Sequence, residues 1–411
     1  MNEYFSTGEL ATLREHGIVL YADRVIFEAQ PPMPADQIAA VQARCAGPIP
    51  QPLLGLWQHT AGGRLDYDLT LPMNGNEEAI RWSELFFNGS DGDRDLQGWI
   101  THEIELIEEE DSTGDGKLTA LPLGGFESMD RIYAVVEPGA GHGQVLAWKQ
   151  GLPPAWTHAL HEDGLGIIAP DLRAAFAALR LDEDPLAPSG DYFSGQTLMA
   201  WLDERHQSHG LDLELMDKLV AFYRLAMVDW RTPLADGTLR HQPALAHVAL
   251  RHAIATDDAA LIVELAAAGI GFDGPLLGSA TATDVALSHG AFAATAALVR
   301  AGAPVASDAL ATIDGAISPE LTTSLLDNGA EPNVLAIVMC VACGAPASAR
   351  LIAEACARVG IDVPAAYELD RDAMLAELES SLVRVRDGKL GHYLGAEGLA
   401  LRIEHLQSFV L

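Results

Sequence analysis

The sequence predicts two architectures in series, an α+β domain over residues 1–184 followed by an all-α helical solenoid. Three observations carry this. Strand-like and helix-like runs mix before residue 185, whereas beyond it the chain turns rich in Ala and Leu at helical spacing. The segment Asp182-Glu183-Asp184-Pro185-Leu186-Ala187-Pro188-Ser189-Gly190 combines two prolines with a glycine, which end any preceding helix. A short helix-closing motif then returns at intervals of 33, 27 and 31 residues.

In chain order, Arg24–Ala29 reads as a short strand, and Ala35–Cys45 has helical spacing behind Pro32-Met33-Pro34. Leu53–His59 is a second short helix, stopped by Ala61-Gly62-Gly63. Strand-like runs follow at Asp66–Leu71, Arg131–Glu137 and Gln144–Trp148. The last two flank Pro138-Gly139-Ala140-Gly141-His142-Gly143, and a hairpin is the simplest reading. Ala169-Pro170-Asp171-Leu172 opens a helix containing Phe176 and Leu179. Strands and helices do not alternate as βαβ units, which argues against a dinucleotide fold.

Past the break, Glu264-Leu265-Ala266-Ala267-Ala268-Gly269 returns as Ala297-Leu298-Val299-Arg300-Ala301-Gly302 and again as Ser324-Leu325-Leu326-Asp327-Asn328-Gly329, with Arg358-Val359-Gly360-Ile361 as a fainter copy. Paired helices closed by a glycine turn at a 33-residue period are the ankyrin signature. Thr281, Ala286, Gly290 and Gly302 occupy the consensus positions of the second copy, and Leu298 sits at its buried leucine. The small residues Ala253, Ala286 and Cys340 let neighbouring helices approach. Ankyrin-like repeats are thus expected over residues 244–364, with a linker and capping helices over 185–243 (helical at 194–206 and 211–229) and C-terminal capping helices over 365–411 (helical at 371–386 and 396–409).

Composition bounds the function. The 411 residues hold 58 Asp+Glu against 25 Lys+Arg, a formal charge of −33, with 49% hydrophobic residues. A mean hydropathy of +0.13 leaves ample apolar surface for packed cores. The charge argues against nucleic acid and anionic membranes, both of which need a positive patch. No signal peptide or apolar stretch of membrane-spanning length is read, so a cytoplasmic protein is expected. Four cysteines do not make a disulfide framework.

The order of short motifs in residues 31–184 resembles the SUKH superfamily, bacterial proteins dominated by immunity proteins of polymorphic toxin systems. Its elements here are Ile49-Pro50-Gln51-Pro52-Leu53-Leu54-Gly55-Leu56-Trp57, His59-Thr60-Ala61-Gly62-Gly63, Leu121-Pro122-Leu123-Gly124, Arg131-Ile132-Tyr133-Ala134, Gly143-Gln144-Val145-Leu146-Ala147-Trp148 and a closing helix over Ile168–Phe176. Ala61 stands where the family has Asn, and the segment from Gly63 to Leu121 is longer and more acidic than the family pattern. The resemblance implies an α+β fold and no catalytic residues, because members act by binding.

Between Glu84 and Asp115 lie 11 acids and one base, Arg94. With a helix over 94–110, Leu96, Ile100, Ile104 and Ile107 form its buried stripe and Glu105, Glu108 and Glu109 its opposite face. Carboxylates late in a helix oppose its dipole and suit a cationic partner. The expected partner surface is Asp91, Asp93, Asp95, Glu105, Glu108, Glu109, Glu110 and Asp111. A solvated charged face is the alternative.

Other clusters carry less. Asp111–Lys117 has the outline of a calcium loop, but Thr113 stands third and Pro122 twelfth, where a bidentate Glu is required. Asp91-Gly92-Asp93-Arg94-Asp95 has no following glycine bend. Cys340 and Cys343 lack a second pair and read as structural cysteines; His158 and His161 beside Glu162 lack HExxH order. Gly139–Gly143 lies between strands and reads as a turn rather than a phosphate loop. No metal, cofactor or enzyme activity is expected. The sequence therefore points to an immunity protein that occludes a basic toxin, with a nuclease as first target; the alternative is a cytoplasmic ankyrin-type adaptor or regulatory interaction module.

Overall fold

A computed structural model describes residues 4–73, 76–90, 94–110, 116–126, 130–149, 165–184, 186, 192–277, 280–389 and 394–411. The chain forms two compact units, Met1–Val228 and Asp229–Leu411.

The first unit starts with α1 (Thr7–Glu15), whose Ser6 and Glu9 satisfy each other's backbone N–H groups in a capping box. A two-residue turn joins β1 (Val19–Tyr21) to β2 (Arg24–Ile26), and α2 (Ala35–Arg44) and α3 (Gln51–Trp57) follow. Next come β3 (Gly63–Met73), β4 (Asn76–Leu85), α4 (Leu96–Glu110), β5 (Ala120–Phe126), β6 (Asp130–Val135), β7 (Val145–Lys149), β8 (Leu165–Ala169) and α5 (Leu172–Ala178). The six long strands make one antiparallel meander in the order β3-β4-β5-β6-β7-β8, with α4 inserted between β4 and β5. Alternation explains which face is covered: Leu65, Tyr67, Leu69, Leu71 and Met73 of β3 are all buried. Phe176 of α5 meets them from one side, edge-on to Trp82 at 5.4 Å and to Tyr21 at 5.0 Å. At β5 an added Cβ on Gly124 would lie 1.9 Å from the Glu84 carbonyl oxygen, so only glycine permits the β4–β5 approach.

The predicted elements of this unit are present, with the hairpin of β6 and β7 among them. Ile168, expected in the closing helix, lies instead in β8, and α5 starts behind its cap Asp171.

Two helices expected to cap the repeats belong to the first unit, and this corrects the division at residue 184. In α6 (Tyr192–His209) Leu198 and Leu202, and in α7 (Leu213–Tyr223) Leu215, Met216, Leu219, Phe222 and Tyr223, enter the same core as the sheet. The Tyr223 hydroxyl lies 2.8 Å from the Asp66 carbonyl, and Leu181 exchanges backbone bonds with Ala226 and Val228. Helix α5 already ends at Ala178, and Leu179, Leu181 and Leu186 stay in the same core, so this stretch does not separate two cores.

The second unit is helical apart from one small hairpin: α8 (Arg231–Ala235), α9 (Pro243–Ala255), α10 (Ala259–Ala267), β9 (Pro275–Leu277) with β10 (Ala280–Thr281), α11 (Ala282–Ser288), α12 (Phe292–Arg300), α13 (Pro319–Asp327), α14 (Val334–Ala342), α15 (Pro346–Arg358), α16 (Val363–Arg386) and α17 (Gly395–Ser408). Helices α9/α10, α11/α12 and α14/α15 are pairs; α13 is preceded only by a 3-10 turn at Ala309–Ala311. The repeat is visible in its bonds. After α10, α12, α13 and α15 the residues Gly269, Gly302, Gly329 and Gly360 have φ of +81°, +87°, +113° and +86°. The next residue, Ile270, Ala303, Ala330 or Ile361, donates its N–H to the carbonyl five back, on Leu265, Leu298, Leu325 or Cys356. The small residues Ala253, Ala286 and Cys340 accept the equivalent bond from Asp258, Ala291 and Ala345 at the ends of the first helices. Leu399, Ile403 and Leu406 of α17 join the core of these repeats, while Arg402 pairs with Asp314.

Candidate functional site

Helix α4 separates the predicted acidic residues by role. Asp95 precedes it and accepts the backbone N–H groups of Gln97 at 3.3 Å and Gly98 at 2.9 Å, so it is the helix cap. Arg94 holds Glu84 at 2.6 Å and Glu28 at 2.7 Å. Burial pushes the Glu84 carboxyl above its usual range, against the pull of Arg94. Leu96, Ile100 and Ile104 are buried as the periodicity predicts.

Glu103 lies among these apolar residues. Arg131 Nη1 and Tyr133 Oη both donate to its Oε1 at 2.9 Å, and the Arg131 guanidinium stacks 3.5 Å above the Trp99 ring. Burial, with Glu103 alongside, pushes the Tyr133 phenol well above its ordinary pKa. Glu105 and Glu108 are exposed. Asp91, Asp93 and Asp111 lie outside the described residues, as do the side chains of Glu109 and Glu110 in the last turn of α4. Thus Glu105 and Glu108 are the predicted partner residues with a described open carboxylate, and Asp95 has a structural duty.

Cys340 is fully buried, and burial pushes its thiol up to about 12; Cys343 is raised by the same cause. Among the described residues no three His, Cys, Asp or Glu side chains converge to hold a metal. Residues 111–115 of the calcium-like loop and His158, His161 and Glu162 lie outside the described residues. No described helix is long and apolar enough to cross a membrane.

Sequence reasoning missed a cleft in the first unit. It has two lobes of about 580 Å3 each that share Arg14, Val19 and His59. Arg14 comes from α1, His59 from the turn after α3, Arg173 from α5 and Arg205 from α6. Arg14 Nη2 is 3.4 Å from His59 Nδ1. Burial first, then Arg14 and Arg173, pull the His59 imidazole below its ordinary pKa. Arg173 lies over the Tyr21 ring at 5.6 Å and Arg205 over Trp201 at 5.0 Å. Five non-glycine residues among those described have positive φ, and three of them, Ala22, Asp23 and Glu28, line this cleft. The three arginines and His59 come from four separate segments, so no local motif announces them.

No known protein family, characterised relative or solved structure matches this chain.

Proposed function

We propose that this protein is a bacterial immunity protein that binds and blocks a cognate basic toxin, a nuclease by first preference, through the acidic face of α4. The observation that carries the reading is the pair of open carboxylates Glu105 and Glu108 on a helix whose other face is fixed in the core. No Lys or Arg occupies the last turn of α4 to offset them. Each carboxylate late in a helix opposes the dipole by about 0.3–1 kcal/mol, and a cationic partner reverses that cost. The charge of −33 would steer a basic cleft toward this face and raise the association rate. A six-stranded antiparallel sheet with flanking helices agrees in outline with the SUKH-like resemblance, and the repeated helix ends agree with ankyrin-like repeats. Those repeats also support a second reading, a cytoplasmic adaptor, because stacked helix pairs commonly present binding surfaces.

The test uses the full chain as bait in its native bacterium, followed by the Glu105→Lys, Glu108→Lys, Glu109→Lys triple variant. One-to-one capture of a basic toxin domain, rescue of its toxicity, and loss of both capture and salt dependence in the variant are expected. Unchanged affinity in the variant removes this face from the proposal. Recovery of regulatory or metabolic proteins instead favours the adaptor.

A further inference from the structure

We propose that the cleft between α1, α5 and α6 is a binding site for a small organic phosphate, with the phosphate held by Arg14 and Arg173 beside His59 and the organic body against Trp201 and Pro31. The first argument is charge. Acids outnumber bases 58 to 25 in this chain, and some of its arginines find a carboxylate. Arg64, Arg94, Arg131 and Arg180 of the first unit do so at 3.7 Å or less. Among the described residues Arg14 and Arg173, like Arg24, Arg44 and Arg205, have no carboxylate within 4.0 Å, and both line the lobe that His59 lines. Two guanidinium groups lining one lobe suit an oxyanion, because the planar fork of arginine fits phosphate oxygens in pairs.

Acids also line the lobes. Glu28 is engaged by Arg64 and Arg94, Asp23 forms the turn between β1 and β2, and Glu15 sits on the rim. The negative net charge does not forbid the site. At physiological salt, charges more than about 8 Å away are largely screened, so the field repels a polyanion while the adjacent arginines govern a small one.

Size supplies the second argument. Lobes of about 580 Å3 fall within the range of small-molecule sites and exceed what bare phosphate fills. Trp201 and Pro31 line one lobe, Arg173 the other, and Arg14 and His59 both.

The experiment is calorimetric titration of the full chain with inorganic phosphate and with adenosine 5′-monophosphate as probes. Saturable binding of the nucleotide, weaker binding of phosphate, and competition between them are expected. The Arg14→Gln, Arg173→Gln double variant should lose about tenfold or more in affinity for both probes with its Tm unchanged, since both side chains are exposed. As an independent reading, phosphate should shift the His59 imidazole proton resonances of the wild-type chain. No saturable heat from either probe, an unshifted His59, or equal affinity in the double variant overturns the site. Equal affinity of the two probes overturns the organic part of the ligand.

Discussion

Removing Glu103 should unfold the first unit far more readily than removing Glu105, two positions away on the same helix. Glu103 and Arg131 have side chains only 10% and 8% exposed and are 2.9 Å apart. Tyr133 is also buried and donates to the same carboxylate oxygen. In Glu103→Ala the Arg131 charge remains over the Trp99 ring without its counter-ion, and Tyr133 loses its acceptor. Breaking a buried pair from one side costs about 3–5 kcal/mol. For a unit of this size that is roughly 6–20 °C in Tm. Glu105→Ala should stay within about 0.5 kcal/mol of wild type, as exposed substitutions do. Glu103→Gln, which keeps an acceptor oxygen without the charge, should fall between them. Urea unfolding followed by tryptophan fluorescence suits the measurement, because six of the seven tryptophans (57, 82, 99, 148, 156 and 201) precede residue 229. A Glu103→Ala midpoint indistinguishable from that of Glu105→Ala would refute the separation of α4 into structural and open acids.

The Glu9 carboxyl is held at about 2, against an ordinary 4.5, chiefly by the hydrogen bond from Lys218. Its folded pKa is depressed, so its stabilising effect is complete above about 4.5 and fades as pH falls through about 2. Lys218→Met should flatten that acid limb in urea midpoints taken across the window; an unchanged limb removes the pair from the acid response. Ala22 has φ of +46° in the turn between β1 and β2, and Ala22→Asn should stabilise the first unit by about 0.5–1 kcal/mol, since Asn tolerates this region. A loss of stability would show that the turn is not strained. In the second unit Gly302→Ala, at φ +87° in open space, should cost about 1–2 kcal/mol. Gly290→Ala should cost more, because its Cβ would lie 2.5 Å from the Asp314 carbonyl oxygen. Equal thermal unfolding of these two variants would mean that the Asp314 segment yields freely.

What the sequence made legible was periodic and local. The α4 stripe of Leu96, Ile100 and Ile104, the hairpin around Gly139–Gly143 and the glycine-closed helix ends all depend on residues within a few positions of one another. Strands β4 and β5 carry weaker patterns: Asn76–Leu85 is polar at six of its ten positions, and β5 contains Pro122, Gly124 and Gly125. Their place in the sheet comes from pairing with better strands. The unit boundary was misplaced because local helix-breaking residues mark where a helix stops, whereas a core is defined by which apolar faces meet. Leu219 and Tyr223 meet the sheet from far along the chain, and nothing near residue 185 records it.

The same distinction applies to charge. A net −33 suggests one acidic surface, yet the first unit sorts its charges by position. Glu28, Glu84 and Glu103 neutralise arginines that anchor strands and helix, so they are not available to a partner. Among the described side chains, Glu105 and Glu108 are the acids that remain open on α4. Glu28 also lines the arginine cleft, and through Arg94 it is tied to Glu84 beside the capped start of α4. A substitution at Arg94 would therefore disturb both places at once, and a binding defect in such a variant would not locate the partner. Only changes at the open ends, Glu105 and Glu108 for the acidic face and Arg14 and Arg173 for the cleft, separate the two.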